Sequence, residues 1–173
     1  MTIKKILTEP DLFLRQKSLN VEKVDNDTRK LMNDMLDTMY DAPGIGLAAI
    51  QVGIPKRIIV IDLSKEEEKK PLYLVNPKII SKSNSNNTYE EGCLSVPGQF
   101  AEIDRPDRCH VAYLDYYGNQ QELKAVDLLA TCIQHEMDHL EGILFIDYLS
   151  KLKKSFIVKK LSKQKKSLER IVV

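Results

Sequence analysis

Two histidines stand four residues apart in CIQHEMDHLEG (132–142), with a glutamate directly after the first. On an α-helix, positions i and i+4 lie about 400° round and about 6 Å along the axis. His135 and His139 therefore leave from one face and can grip one cation. Glu136 stands one step round, within reach of a metal-bound water without ligating the metal. A metal lowers the pKa of such a water towards ~7, and a neighbouring carboxylate can take the proton. The plainer alternative is a pair of core histidines bonded to backbone. Against it, these are two of only three histidines in the chain, and the glutamate is in place.

A catalytic metal usually takes three protein ligands and a water. The longer protease pattern His-Glu-x-x-His-x-x-Gly-x-x-His breaks at its last position, where Phe145 stands. Glu141 is too near, Glu169 lies in a basic tail, and His110 opens a strand with no motif around it. Cys132 shares the helical stripe of His135, which makes tetrahedral geometry awkward, so it reads as a small apolar wall residue. Cys93 is left, in EGCLSVPG (91–98), where Gly92 lets the backbone pass close to a site. By itself Cys93 reads as a small buried hydrophobe. Beside the His-Glu-x-x-His helix it reads as the thiolate of a Cys-His-His set with one position open. The stretch GIGLAAIQVG (44–53) has glycines but not the preceding strand that a dinucleotide loop needs. It is either a tight bend into a closely packed small-residue strand, or an exposed edge for an extended peptide with Gln51 as a neutral donor.

These residues need elements to hold them. Asp25 or Asn26 can cap a helix to about Tyr40, with Leu31, Met32, Met35, Leu36 and Met39 on one face. Pro43 and Gly44 stop it. RIIVIDL (57–63) is branched and apolar and predicts a buried strand. SKEEEKK (64–70) predicts a solvated loop, and LYLVNPKII (72–80) one or two strands around Asn76-Pro77. SKSNSNNT (81–88) is expected to be an exposed hairpin tip. HVAYLDYYGNQQELKAV predicts two strands joined at Gly118-Asn119. Asp127 is expected to cap the histidine helix, with Gly142 ending it. Ser150 opens a lysine-rich helix with Leu152, Phe156 and Leu161 at helical spacing. Helix, many short strands, then helices make an α+β fold, mostly antiparallel, around a central metal-binding helix with a C-terminal helix.

With 173 residues, one domain is expected, large enough to bury a core without disulfides. No segment approaches the roughly 18 apolar residues of a membrane span, and the first residues carry no secretory pattern. Three cysteines without framework spacing favour a reducing cytosol. The net charge of +1 hides an asymmetry: residues from Ser150 onward carry +8 and the rest −7.

Together GIGLAAIQ, EGCLSVPG and QHEMDHLEG resemble the three signature motifs of the peptide deformylase family, in family order, and the likeness spans nearly the whole chain. The resemblance implies a single catalytic domain over 1–173, with a basic helix at about 150–170. It makes Cys93, His135 and His139 the metal ligands and Glu136 the general acid/base. It gives Gln51 and the backbone N–H of Leu94 the task of holding the carbonyl oxygen as it becomes an oxyanion. Ile45 and Gly46 would border the peptide. The implied reaction is hydrolysis of the N-formyl group from the formyl-methionine of newly made polypeptides, with metal-bound water attacking the formyl carbon. Ligand softness suits zinc, and imidazole also suits iron. The resemblance favours Fe2+, with Ni2+, Co2+ or Zn2+ as substitutes. It also implies a C-terminal helix that meets the ribosome near the exit, through rRNA, in a cytoplasmic protein. One residue departs from the pattern: Ile50 stands where the family has proline before the motif glutamine. Proline fixes φ and removes an N–H, so its loss is expected to loosen the backbone that aims Gln51. Two other readings compete. A zinc endopeptidase needs a third ligand other than Cys93 and a cleft open at both ends. A binding protein with a structural metal needs a fourth protein ligand and leaves Glu136 without a task.

Overall fold

The computed structural model describes residues 2–64 and 68–171, the last four by backbone alone. Asp25 accepts a hydrogen bond from Thr28 N–H at 2.8 Å and starts helix α1, Asn26–Asp41. Strands β1 (Gly46–Ala48), β2 (Ile58–Ile61), β3 (Leu72–Lys82), β6 (Arg108–Leu114) and β7 (Gln120–Val126) form one antiparallel sheet in the order β1-β2-β3-β6-β7. The alternation of side chains along a strand divides its interior. Ile59, Ile61 and Leu74 pack towards helix α2 (Asp127–Leu140), while Ile58, Val60 and Val75 pack towards α1. The histidine helix is thus clamped on the sheet from one side, with Ile133 and Leu140 fully buried.

Of the one or two strands expected around Asn76-Pro77, the structure has one, β3, with an irregularity at that point. The β3 register shifts between Val75 and Lys78, and Asn76 has φ 50°. Its side chain bonds the backbone of Val21 in both directions at 2.8 Å, which anchors the incoming chain.

Three expectations need correction. SKSNSNNT is not a hairpin tip. Chain 83–85 carries the backbone from β3 out of the five-stranded sheet into a separate ribbon, β4 (Asn86–Cys93) and β5 (Val96–Pro106). The polar run has the composition of a turn, but β4 pairs with β5 along its whole length rather than folding back on β3. Asp127 does not cap α2 with its side chain. The N-cap is Val126, and Asp127, at φ 50°, accepts from Asn87 Nδ2 at 3.0 Å instead. Helix α3, Lys151–Ile171, does not bury the stripe Leu152-Phe156-Leu161. Leu161 is 3% exposed, but Leu152 and Phe156 are 82% and 70% exposed. The packed side is Ile157, Val158 and Leu161, against Val96, Phe145 and Ile146. Leu152 and Leu161 are nine residues apart, which is 180° round a helix. Part of the solvated loop expected at 64–70 and the end of the tail lie outside the described residues. Among the described residues no helix is long and apolar enough to cross a membrane.

Candidate active site

The β4–β5 ribbon reverses at Leu94-Ser95, directly after Cys93, and packs its turn against α2. This brings Cys93 to the histidine face. One donor atom each from Cys93, His135 and His139 lies within 4.8 Å of the others, and Cys93 Sγ stands 3.2 Å from His139 Nε2. The two imidazoles sit edge to face, with ring centroids 5.1 Å apart. A soft sulfur and two imidazole nitrogens converging from a rigid helix and a hairpin end suit a first-row divalent metal. Of the alternative ligands, His110 pairs with Glu122 at 2.8 Å across β6 and β7, and Glu141 is held by Arg57 and Lys17. Cys109 is buried in the core, and Cys132 forms part of the cavity wall.

A cavity of about 480 Å³ opens in front of these residues. Ile45 and Gly46 border it, as does Leu94 from the ribbon turn. Ile45 is about half exposed, whereas Gly46 is buried in β1. β1 is an edge strand, paired among the described residues with β2 alone. Gly46 is tight: a Cβ there would stand 2.5 Å from Glu136 Oε1 and 3.0 Å from Cys132 Sγ.

Gln51 is 1% exposed and doubly held. Its Oε1 accepts from Ala48 N–H at 2.8 Å, and its Nε2 donates to Ser95 Oγ at 3.0 Å and points at Cys93 Sγ at 3.6 Å. With Ile50 in front of it, the Gln51 amide is still held by hydrogen bonds at both ends. Ile50 is fully buried in the 3-10 helix Ala49–Val52, and the Ala48 contact fixes the amide from behind. The N–H of Ser95 also points at Cys93 Sγ, at 3.4 Å.

Glu136 Oε2 is buried and has no hydrogen-bond partner among the described residues. Burial pushes its carboxyl up to about 7, with Glu91 adding to the rise and His135 opposing it. Burial also works against charge on His139, whose pKa is lowered well below 6.5, and raises the Cys132 thiol well above 9.0. Burial disfavours charge on His135 as well, but Cys93 and Glu91 outweigh it and its pKa is raised.

A buried ion network behind the histidines escaped the sequence reading. His135 Nδ1 stands 2.8 Å from Glu91 Oε2. A carboxylate only accepts, so His135 donates from Nδ1 and leaves Nε2 on the side of Cys93 and His139, where a neutral ring would offer its lone pair to a metal. Arg105 clamps Glu91 with Nε and Nη2, and reaches Asp138 Oδ2 with Nη1 at 2.8 Å. Burial works to raise the Glu91 carboxyl, but the His135 and Arg105 bonds outweigh it and hold it below 4.5. Glu91 lies inside EGCLSVPG, yet only alternation along β4, which turns it inward beside outward Glu90, hinted at a buried carboxylate. Nothing near Arg105 marks it.

An α+β chain that gathers a thiol, two imidazoles and a free carboxylate around one buried helix has the parts of a metal-dependent hydrolase. Comparison with known proteins agrees. The family model for polypeptide deformylase matches residues 3–155. A peptide deformylase of Pelagibacter ubique (strain HTCC1062) is 67% identical over 174 residues, spanning 100% of both chains. One from Rhizobium meliloti (strain 1021) is 54% identical over 168 residues, 96% of this chain and 97% of its own. The crystal structure of peptide deformylase from Ehrlichia chaffeensis in complex with actinonin has a TM-score of 0.91 at 47% identity, covering 95% of this chain and 98% of that one. The chain belongs to the polypeptide deformylase family.

Proposed function

We propose that this chain, acting as one domain over residues 1–173, removes the formyl group from N-terminal formyl-methionine with the residues gathered around α2. Removal of N-formyl groups from nascent peptides is the activity of the family to which it belongs. Cys93, His135 and His139 hold one divalent metal. When bound, the metal supplies a Lewis acid that polarises the formyl oxygen and makes water nucleophilic near neutral pH. The single observation that carries the reading is the convergence of those three donors beside a buried carboxylate with a free oxygen.

The other steps belong to the chain. The open edge of β1 at Ile45 and Gly46 aligns the peptide, and the cavity beside it takes the methionine side chain. Gln51 Nε2 and the N–H of Leu94 bind the formyl oxygen as charge develops on it. Removing one such donor costs ~10²–10³ in rate. Glu136 takes a proton from the attacking water and later delivers it to the departing amine. A carboxyl near 7 is suited to both transfers. Cys93 is a ligand and not a nucleophile, since coordination occupies its sulfur.

Imidazole with thiolate suits iron as well as zinc, and Fe2+ is proposed, with Ni2+, Co2+ or Zn2+ as substitutes. The protein is cytoplasmic and meets formylated chains at the ribosome exit, through the basic face of α3. Metal analysis of anaerobically purified protein, with a formyl-Met-Ala assay, tests the reading. One iron per chain is expected, with hydrolysis of the formyl peptide and none of an unformylated internal peptide. Glu136→Gln should keep the metal and lose nearly all turnover. Cleavage of the internal peptide would favour the endopeptidase alternative, and wild-type turnover in Glu136→Gln would remove the acid/base role.

A further inference from the structure

The ion network does not end at Asp138. Tyr148, just before the root of α3, donates its hydroxyl to Asp138 Oδ2 at 2.8 Å. That is the same oxygen that Arg105 Nη1 uses. The ring of Tyr148 also lies against the guanidinium, with Arg105 Cζ 4.9 Å from its centroid. Arg105 is therefore held in three ways: by Glu91 along one edge, by Asp138 at one nitrogen and by Tyr148 on a face. Glu91 in turn shares Oε2 between Arg105 Nη2, at 3.0 Å, and His135 Nδ1, at 2.8 Å.

The geometry makes the plane of one group set the plane of the next. A guanidinium bonded through Nε and Nη2 fixes the plane of a carboxylate, because both parallel bonds must be kept. A carboxylate fixed in this way dictates the rotation of the imidazole that donates to it. Losing a group that orients a metal-bound histidine from outside the ligand set typically costs about 10- to 100-fold in metal affinity or activity. Arg105, Glu91 and His135 are buried, so a tilt at one of them is not absorbed by solvent. Tyr148 is about half exposed, and it is the outermost member.

We propose that Tyr148, acting through Asp138 and Arg105, is a positioning residue that sets the orientation of His135 towards the metal. The proposal rests on Cys93, His135 and His139 being the ligand set. The phenol hydroxyl pins Asp138, and the ring closes the solvent side of the guanidinium. With the hydroxyl gone, Arg105 Nη1 and Asp138 can swing together, and Glu91 loses its fixed plane. His135 then keeps its donor bond but samples a wider range of ring angles.

The test uses Tyr148→Phe, which keeps the ring over Arg105, and Tyr148→Leu, which removes ring and hydroxyl. Each chain is loaded with Co2+, and three quantities are read: the visible ligand-field spectrum, the rate of cobalt loss to a chelator, and the unfolding midpoint. Tyr148→Phe is expected to bind one cobalt per chain at an unchanged midpoint, with a shifted spectrum and cobalt loss roughly three- to tenfold faster. Outer partners of metal ligands typically carry about 10- to 100-fold, and this one acts at two removes. Tyr148→Leu should go further in the same direction. A spectrum and loss rate equal to the parent's in Tyr148→Phe would overturn the proposal. So would cobalt loss that merely tracks a lowered midpoint, since the tyrosine would then serve the fold alone. A parent chain that takes up no cobalt would overturn the ligand reading and this inference with it. A parent that binds cobalt, with variants that behave alike, would sink the inference only.

Discussion

Gly46 and Cys93 carry the sharpest constraints at the scale of single residues. A methyl group at Gly46 would meet Glu136 Oε1 at 2.5 Å. Either β1 or the carboxylate must move, and a displacement near 1 Å costs up to about 10²-fold in rate. Gly46→Ala is therefore expected to bind metal normally and to lose kcat by that order, as read from steady-state kinetics and metal content. An unchanged kcat would mean that Glu136 is free to swing. At Cys93, the proposed ligand, serine offers a hard alcohol in place of a soft sulfur. Cys93→Ser should strip the metal, while Cys132→Ser and Cys109→Ser retain it. Metal per chain is the measurement, and loss in Cys132→Ser alone would reverse the assignment.

Asp147 ties three elements together. It accepts from Leu144 N–H at 2.8 Å and from Arg15 in the 3-10 helix Leu12–Arg15, and forms an ion pair with Lys154 in α3. Burial works to raise its carboxyl, but Lys154, the Leu144 N–H and Arg15 outweigh it and hold it below 3.8. A folded value below the unfolded one adds stability that is complete above the unfolded pKa and is lost as pH falls through the folded one. Asp147→Asn should cost about 1–2 kcal/mol near neutral pH. The difference from the parent should shrink towards zero below the lowered value. Urea unfolding at stepped pH reads it, and a difference that stays constant into acid would deny the ion pairs their share.

For the whole molecule, charge is segregated: +8 lies from Ser150 onward on a body of −7. Helix α3 is amphipathic in an unusual sense, with one narrow apolar side on the body and Lys159, Lys160, Lys163 and Lys166 exposed. A cut after Lys160 would remove Leu161, which is buried, so the cut belongs after Ser162. That truncation, with Lys159→Gln and Lys160→Gln, is expected to leave short formyl-peptide hydrolysis intact and abolish ribosome co-sedimentation. In the full chain, co-sedimentation should weaken steeply with salt through counterion release. Equal co-sedimentation of both chains at low salt would sink the ribosome assignment.

What the sequence determined by itself was local. The pairing of His135 with His139 follows from the 3.6-residue turn, and Asp25 as a cap from its position before an apolar stripe. The strands of HVAYLDYYGNQQELKAV follow from alternation around Gly118, which has φ 88°. The motif stretches marked Cys93 and Gln51 as candidates but could not say how close they come. Only the tertiary structure decided that Cys93, 46 residues from His139, meets it at 3.2 Å. That contact depends on a ribbon leaving the main sheet, which local composition mistook for a hairpin tip. The same holds for Glu91, Arg105, Asp138 and Tyr148. Each is an ordinary charged or aromatic residue in its own stretch. They become a network because burying a guanidinium forces carboxylates to meet it, and which carboxylates do so depends on how β4, β5, α2 and the root of α3 pack in space.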